Sequence, residues 1–219
     1  RVDRRDPKSF IGRNTPKLLN TKEKTESMKQ TILEILEQSI TVKKQTITEN
    51  VQTVTTGAEM LVDCLVSGHK IMIFGNGGSA ADAQHIAAEF VNRFQIERPP
   101  MAAMALTTDS SILTSIGNDY TFDDVFSKQI RALGRKDDVA WGISTSGNSK
   151  NVVTAIETAN EMGLHTMGMT GRGGELARCA QTIYAVPSDV TARIQETHIT
   201  IAHILCDLVD RILFPEKYQ

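Results

Sequence analysis

Five short apolar runs, spaced by turns and by segments of helical period, constrain this chain more than any other feature. The runs are Lys70–Phe74, Ala102–Leu106, Asp138–Ile143, His165–Met169 and Thr182–Val186. Each is bounded by turn residues and is too short for a helix, so each reads as a strand. Between them lie Ala80–Arg93, Lys150–Met162, Leu176–Ala180 and the long closing segment Thr191–Leu213, all of helical pattern. A polar, partly helical region runs through Gly134 between the second and third strands. Strand, helix and strand in repetition imply an α/β fold: a five-stranded parallel sheet, doubly wound, with helices covering both faces. Ligands of such sheets sit outside the carboxyl ends of the strands, near a topological switch point. The turns Gly75–Ser79, Ser144–Ser149 and Thr170–Gly174 should therefore open on one edge.

Ahead of the first strand, residues 24–67 read as two helices. The second carries Ile47, Val51, Val54, Ala58, Leu61, Val62 and Leu65 at spacings of three and four, with Gly68 as its stop. Helices placed before the first strand are not sheet crossovers, so their apolar stripes need another surface, and packing between subunits is the natural one. Residues 1–20 read as a flexible basic arm, and residues 21–215 as a single domain with an N-terminal helical extension. The arm has no apolar segment of the kind a secretion signal carries.

A net charge of −2 gives no global electrostatic case for nucleic acid or a membrane surface. No apolar run approaches the roughly 20 residues of a membrane span. Cys64, Cys179 and Cys206 are widely spaced and odd in number, which suits reduced thiols in the cytoplasm rather than a disulfide framework.

Ser144-Thr145-Ser146-Gly147-Asn148-Ser149 gathers hydroxyls at a strand-to-helix turn. Free backbone N–H groups and the positive end of a helix dipole stand behind them, a combination suited to a phosphate monoester. Gly75-Asn76-Gly77-Gly78-Ser79 occupies the same place after the first strand. It is neither GxGxxG nor a Walker A loop, so dinucleotide binding lacks its fingerprint. Its glycines permit close backbone approach, and Asn76 offers both a donor and an acceptor. On the helix that follows, His85 and Glu89 stand four residues apart on one face, able to share a metal or to couple acid with base. Gln195 and His203, eight residues apart on the closing helix, share a broad face. His85, Glu89, Gln195 and His203 together could supply the N/O ligands of a divalent metal. His198 reads as a core histidine, and Arg193 as an ion-pair partner or an anion contact. Asn118-Asp119, after Gly117, is equally a turn or cap and a substrate contact.

These same segments closely resemble the bacterial phosphoheptose isomerases of the sugar isomerase (SIS) domain superfamily. The segments are residues 75–79, Ala83-Gln84-His85 with Glu89, residues 117–119, residues 142–149, and Arg193-Ile194-Gln195-Glu196 with His198 and His203. The likeness spans about Thr25 to Leu213. It implies an aldose–ketose isomerase converting D-sedoheptulose 7-phosphate into D-glycero-D-manno-heptose 7-phosphate through an enediol, the entry step to ADP-heptose and the lipopolysaccharide core. It further implies one zinc ion per subunit, held by His85, Glu89, Gln195 and His203. Ser144, Thr145, Ser146 and Ser149 would hold the phosphate. Asn76, Gly77, Gly78, Ser79, Asn118, Asp119, Glu89 and Gln195 would line the rest of the substrate site. Glu89 and His203 would be base and acid, and the protein a cytoplasmic homotetramer with sites shared between subunits. One position departs from the pattern: many members have Asp where this chain has Ala192, so any contact made by that Asp is missing here. A non-catalytic SIS-domain protein that binds the bacterial replication initiator is the alternative. It is suggested by Asn92-Arg93-Phe94, residues 131–134, Cys206-Asp207-Leu208 and Leu213-Phe214-Pro215. The presence of both Glu89 and His203 favours the enzyme.

Overall fold

Ile71–Gly75 (β1), Ala103–Ala105 (β2), Val139–Ser144 (β3), His165–Thr170 (β4) and Thr182–Ala185 (β5) form one sheet. Its order is β2-β1-β3-β4-β5, and every pairing is parallel. The computed structural model describes residues 21–218, so the arm expected over residues 1–20 lies outside the described residues. Two compact units divide the chain, one ending at Gln38 and the other starting at Ser39. In the first, the described residues belong to α1 (Thr21–Glu49), a helix that continues past the division. Met28, Ile32, Leu33, Ile35 and Leu36 on it are exposed.

The second unit holds the sheet and its two coverings. Alternation along β1 sends Ile71 and Ile73 to one face and Met72 and Phe74 to the other. On the first face they meet α2 (Val51–Val66), α3 (Gly78–Val91) and α8 (Thr191–Leu213) through Leu61, Phe90 and Leu205. On the second face they meet α5 (Ser127–Leu133), α6 (Lys150–Glu161) and the short α7 (Leu176–Cys179) through Ile130, Ile156 and Leu176. α4 (Ser110–Asp119) follows β2, with Asp109 accepting from Ile112 N–H as its cap. Strands buried on both faces explain why the runs are apolar throughout rather than alternating.

Two details differ from the sequence reading. The first helix runs through Ile47 and breaks at Asn50. The stripe of α2 is filled within the chain: Val54, Ala58 and Leu61 are buried in the core of the sheet's first face. A helix preceding the first strand can cover the sheet if the chain turns back, and α2 does, stopping beyond Ser67 where Gly68 takes a positive φ. On α1, Met28, Ile32, Leu36 and Ile40 stay exposed.

Chain order places the switch between β1 and β3, since the chain moves from β1 to β2 on one side and then to β3 on the other. Gly75 pairs with Ile143 in register, so the turns leaving these two strands stand side by side. That crevice is where the fold should bind a ligand.

Candidate active site

The turn after β3 folds its hydroxyls together. Ser144 Oγ donates to Ser149 Oγ at 2.9 Å and stands 3.4 Å from Ser146 Oγ, whose oxygen also accepts from Asn148 N–H. Ser149 is the N-cap of α6, and its side chain bonds no α6 N–H, so the helix's first turn keeps donors for an anion. Gly147 makes the turn possible, with φ +67° and a Cβ position already taken by the Gly173 carbonyl. That packing draws in the turn after β4, which is bonded through Gly171 N–H to Thr145 O and through Leu176 N–H to Gly147 O. Between the two turns and the start of α8 lies a cleft of about 430 Å3 lined by Thr145, Ser146, Arg172, Ser188, Asp189 and Thr191, within the size range of small-molecule sites. Among the described residues Arg172 is the one cation lining it, and its Nε stands 2.9 Å from both carboxylate oxygens of Asp189.

Across the switch point, the β1 turn is tied to α6 by a reciprocal amide pair. Asn76 donates to Asn151 at 2.8 Å, and Asn151 donates back at 2.9 Å. One donor hydrogen and one lone pair of Asn76 remain for a ligand. Gly77 caps α3 with φ 56° and ψ −120°, a conformation only glycine adopts readily. At Gly78 an added Cβ would strike the side-chain amide of Gln195, so the first turn of α3 lies directly under that residue. Ser79 is buried beneath Gly75 and belongs to the turn's packing.

Farther along the same two helices, three of the four expected ligands converge. His85 Nε2 is 2.8 Å from Glu89 Oε1 and 3.4 Å from His203 Nε2, and the three ligand atoms all lie within 4.8 Å of one another. Tetrahedral ligands at metal–nitrogen distances of about 2.0–2.1 Å stand about 3.3 Å apart. The cluster therefore fits a divalent ion with small adjustment. His85 is exposed while Glu89 and His203 are half-buried, which leaves the group open on one side. Phe94 packs over the His203 ring, with centroids 5.3 Å apart. Burial lowers the His203 pKa, the neighbouring His85 lowers it further, and Glu89 opposes them. Its imidazole is thus neutral near pH 7, a form that still donates or accepts one hydrogen bond.

The remaining sequence candidates divide. Arg193 binds Glu196 through two nitrogens, at 2.9 and 2.5 Å, and holds that carboxyl below the usual range. Asn118 donates to Asp119 at the exposed end of α4. Among the described residues no hydrogen bond or ion pair links these two to the β1 or β3 turn. Arg172 and Asn151 were not singled out from the sequence. A cation in the edge turn Thr170–Gly174 was the available signal for the first. Finding the second required knowing that β1 and β3 are neighbours.

A SIS domain family model matches residues 35–171. The phosphoheptose isomerase of Nitratidesulfovibrio vulgaris (strain Hildenborough) is 52% identical over 191 residues, covering 87% of this chain and 92% of that protein. The chain belongs to the phosphoheptose isomerase family. Solved phosphoheptose isomerases agree in fold. The enzyme of Neisseria gonorrhoeae superposes with a TM-score of 0.78 at 46% identity, over 84% of this chain and 98% of that one. That of Francisella tularensis gives 0.79 at 39%, over 83% and 97%. The phosphoheptose isomerase family membership makes this chain an aldose–ketose isomerase, and the initiator-binding alternative finds no support in these relatives.

Proposed function

We propose that this protein interconverts D-sedoheptulose 7-phosphate and D-glycero-D-manno-heptose 7-phosphate at the β1–β3 crevice, as the first step toward ADP-heptose and the lipopolysaccharide core. The observation that carries the reading is the convergence of His85, Glu89 and His203 within 4.8 Å in a chain whose β3 turn presents three serine hydroxyls. Ser144, Ser146 and Ser149, with Thr145 and the first N–H groups of α6, bind the phosphate. Arg172 supplies the positive charge that the serine turn lacks. Asn76, Gly77 and Gly78 line the sugar together with Gln195, and Asn118 and Asp119 complete its contacts.

Moving the carbonyl from C2 to C1 requires loss of a proton from C1 and gain of one at C2, through an enediol. Glu89 takes the C1 proton and returns it at C2, while the His203 imidazole N–H donates to the oxygen at C2 as it gains electron density and the ring takes up the proton that the C1 hydroxyl loses. Phe94 packs against one side of the His203 ring. His85, Glu89 and His203, joined by Gln195 from the facing helix, would hold zinc, which when bound would polarise the sugar oxygens. The protein works as a cytoplasmic homotetramer; its three unpaired cysteines suit that compartment.

Purified protein supplied with zinc and sedoheptulose 7-phosphate should form the aldose, detected by NMR of the anomeric protons. Glu89→Gln and His203→Asn should each lower kcat by about 10²–10⁴-fold, the usual weight of acid–base catalysis, with secondary structure unchanged. A zinc-loaded wild type without turnover overturns the reading.

A further inference from the structure

Below the His85, Glu89 and His203 cluster sits a buried ion pair that the reaction does not use. Arg98, in the connection from α3 to β2, has its side chain almost wholly inside the protein, as does Asp210 of α8. Arg98 Nε donates to Asp210 Oδ1 at 3.0 Å. The rest of the guanidinium caps the end of α3, donating to Glu89 O and Phe90 O at 2.7 Å each, and to Asn92 O and Pro99 O at 3.3 and 3.2 Å. Those carbonyls belong to a helix end and its exit, where a cation is favoured; Phe90 O also accepts from Met101 N–H.

A buried ion pair is weak evidence of stability, because desolvation offsets most of its attraction; its best-attested use is to fix register. The register in question is plain. α3 and α8 meet at three successive levels, Gly78 against Gln195, His85 against His203, and the Glu89–Phe90 carbonyls joined through Arg98 to Asp210. Asp210 follows His203 by seven residues, close to two turns, so both project from one face of α8. Glu89 belongs to two levels at once: its carboxylate faces His85 while its carbonyl is held by Arg98. Among the described residues Asp210 Oδ2 has no hydrogen-bond partner, and Arg98 is the side chain that satisfies this carboxylate, through Oδ1.

We propose that Arg98 and Asp210 are positioning residues: a buried clamp that sets the axial register of α3 against α8, and with it the spacing of His85, Glu89 and His203. Arginine is required because one planar fork must reach an acid on α8 and several carbonyls on α3 together; a lysine ammonium keeps the charge and loses that geometry. The inference rests on the isomerase reading for its kinetic consequence, and on the cluster's own geometry for metal.

The test titrates the metal-free protein with cobalt(II), whose visible absorption reports ligand number and symmetry, and measures isomerase kinetics on the same samples. Arg98→Lys and Asp210→Asn should weaken cobalt binding at least tenfold, alter its visible spectrum and lower kcat at least tenfold, with KM within twofold. Leu164→Ala, in the core on the opposite face of the sheet, provides a destabilised control that should keep cobalt affinity and kcat within twofold. If the single variants do not fold, Arg98→Met combined with Asp210→Leu removes both charges, an exchange proteins often accept, and should show the same losses. Wild-type cobalt affinity and kcat in the clamp variants would overturn the proposal, as would equal losses in Leu164→Ala. A wild type that isomerises without binding cobalt dismisses the metal reading and leaves kcat to judge the clamp. One that binds cobalt without isomerising dismisses the activity and leaves the titration to judge it.

Discussion

His198 shows how a single side chain outside the chemistry can hold the site. It is 1% exposed, and its Nε2 lies 3.1 Å from the Thr170 carbonyl. A carbonyl only accepts, so Nε2 carries the hydrogen, while Nδ1 is buried without a partner. The bond anchors the end of β4 immediately before the turn that packs on Gly147. Burial lowers the His198 pKa from 6.5 to about 4, against a smaller opposing effect of the Thr170 bond. Above pH 6.5 the residue is neutral in both folded and unfolded chains. As pH falls from 6.5 toward 4, the unfolded chain takes up a proton that the folded one refuses. Stability should therefore drop by about 1.4 kcal/mol per pH unit from this residue, on the order of 3 kcal/mol in all. His198→Gln retains a donor for Thr170 and removes the titration. Urea unfolding between pH 4 and 7 should show a shallower loss in the variant, by about one proton; equal slopes would dismiss the assignment. The sequence marked His198 as core because its helix neighbours are apolar, and marked His203 by the same neighbours plus its relation to Gln195.

At the scale of elements, the pair Asn76–Asn151 ties the β1 turn to the first turn of α6. Asn151 is 3% exposed, and its removal would leave the Asn76 amide half satisfied beside the substrate. Asn151→Ala should cost about 1–2 kcal/mol of stability and raise KM for the sugar phosphate roughly tenfold. An unchanged KM in steady-state kinetics would show that the β1 turn holds its shape alone. This bridge marks a limit of sequence reading. The strands were legible because burial on both faces makes runs such as Ile71–Phe74 continuously apolar, and α8 was legible because its stripe is long. α4 and α5 blurred into one polar region, since no residue of α4 is buried. The hydroxyls of the serine turn and the His85–Glu89 pair were legible through local spacing, whereas the approach of His203, 118 positions from His85, was not. Asn76–Asn151 and Arg98–Asp210 join residues 75 and 112 positions apart, pairings that strand order and helix register create and that no local pattern contains. The stripe of α2 was misread for a related reason: its covering surface, the sheet, comes later in the chain.

For the whole molecule, the open question is what covers α1. Met28, Ile32, Leu36 and Ile40 recur every fourth residue, with Ile35 beside them, and all are about half exposed. An isolated helix gains little stability from propensity and depends on burying its apolar face. A row of this length left in water would also be a contact-forming patch. Val54, Ala58 and Leu61 of α2 are buried within the chain, so among the described residues the row on α1 is a candidate surface for contacts between copies, which suits the proposed tetramer. Ile32→Glu with Leu36→Glu places two charges in the middle of the row, where helical propensity is unharmed. The double variant should elute at lower mass in size-exclusion chromatography with light scattering, while its circular dichroism still reports the α/β fold carried by the residues from Ser39 onward. If the wild type is a tetramer and the variant keeps its mass, the subunits meet elsewhere. If mass and kcat fall together and both return at high protein concentration, the active site is completed by assembly, and α1 is what makes that assembly possible.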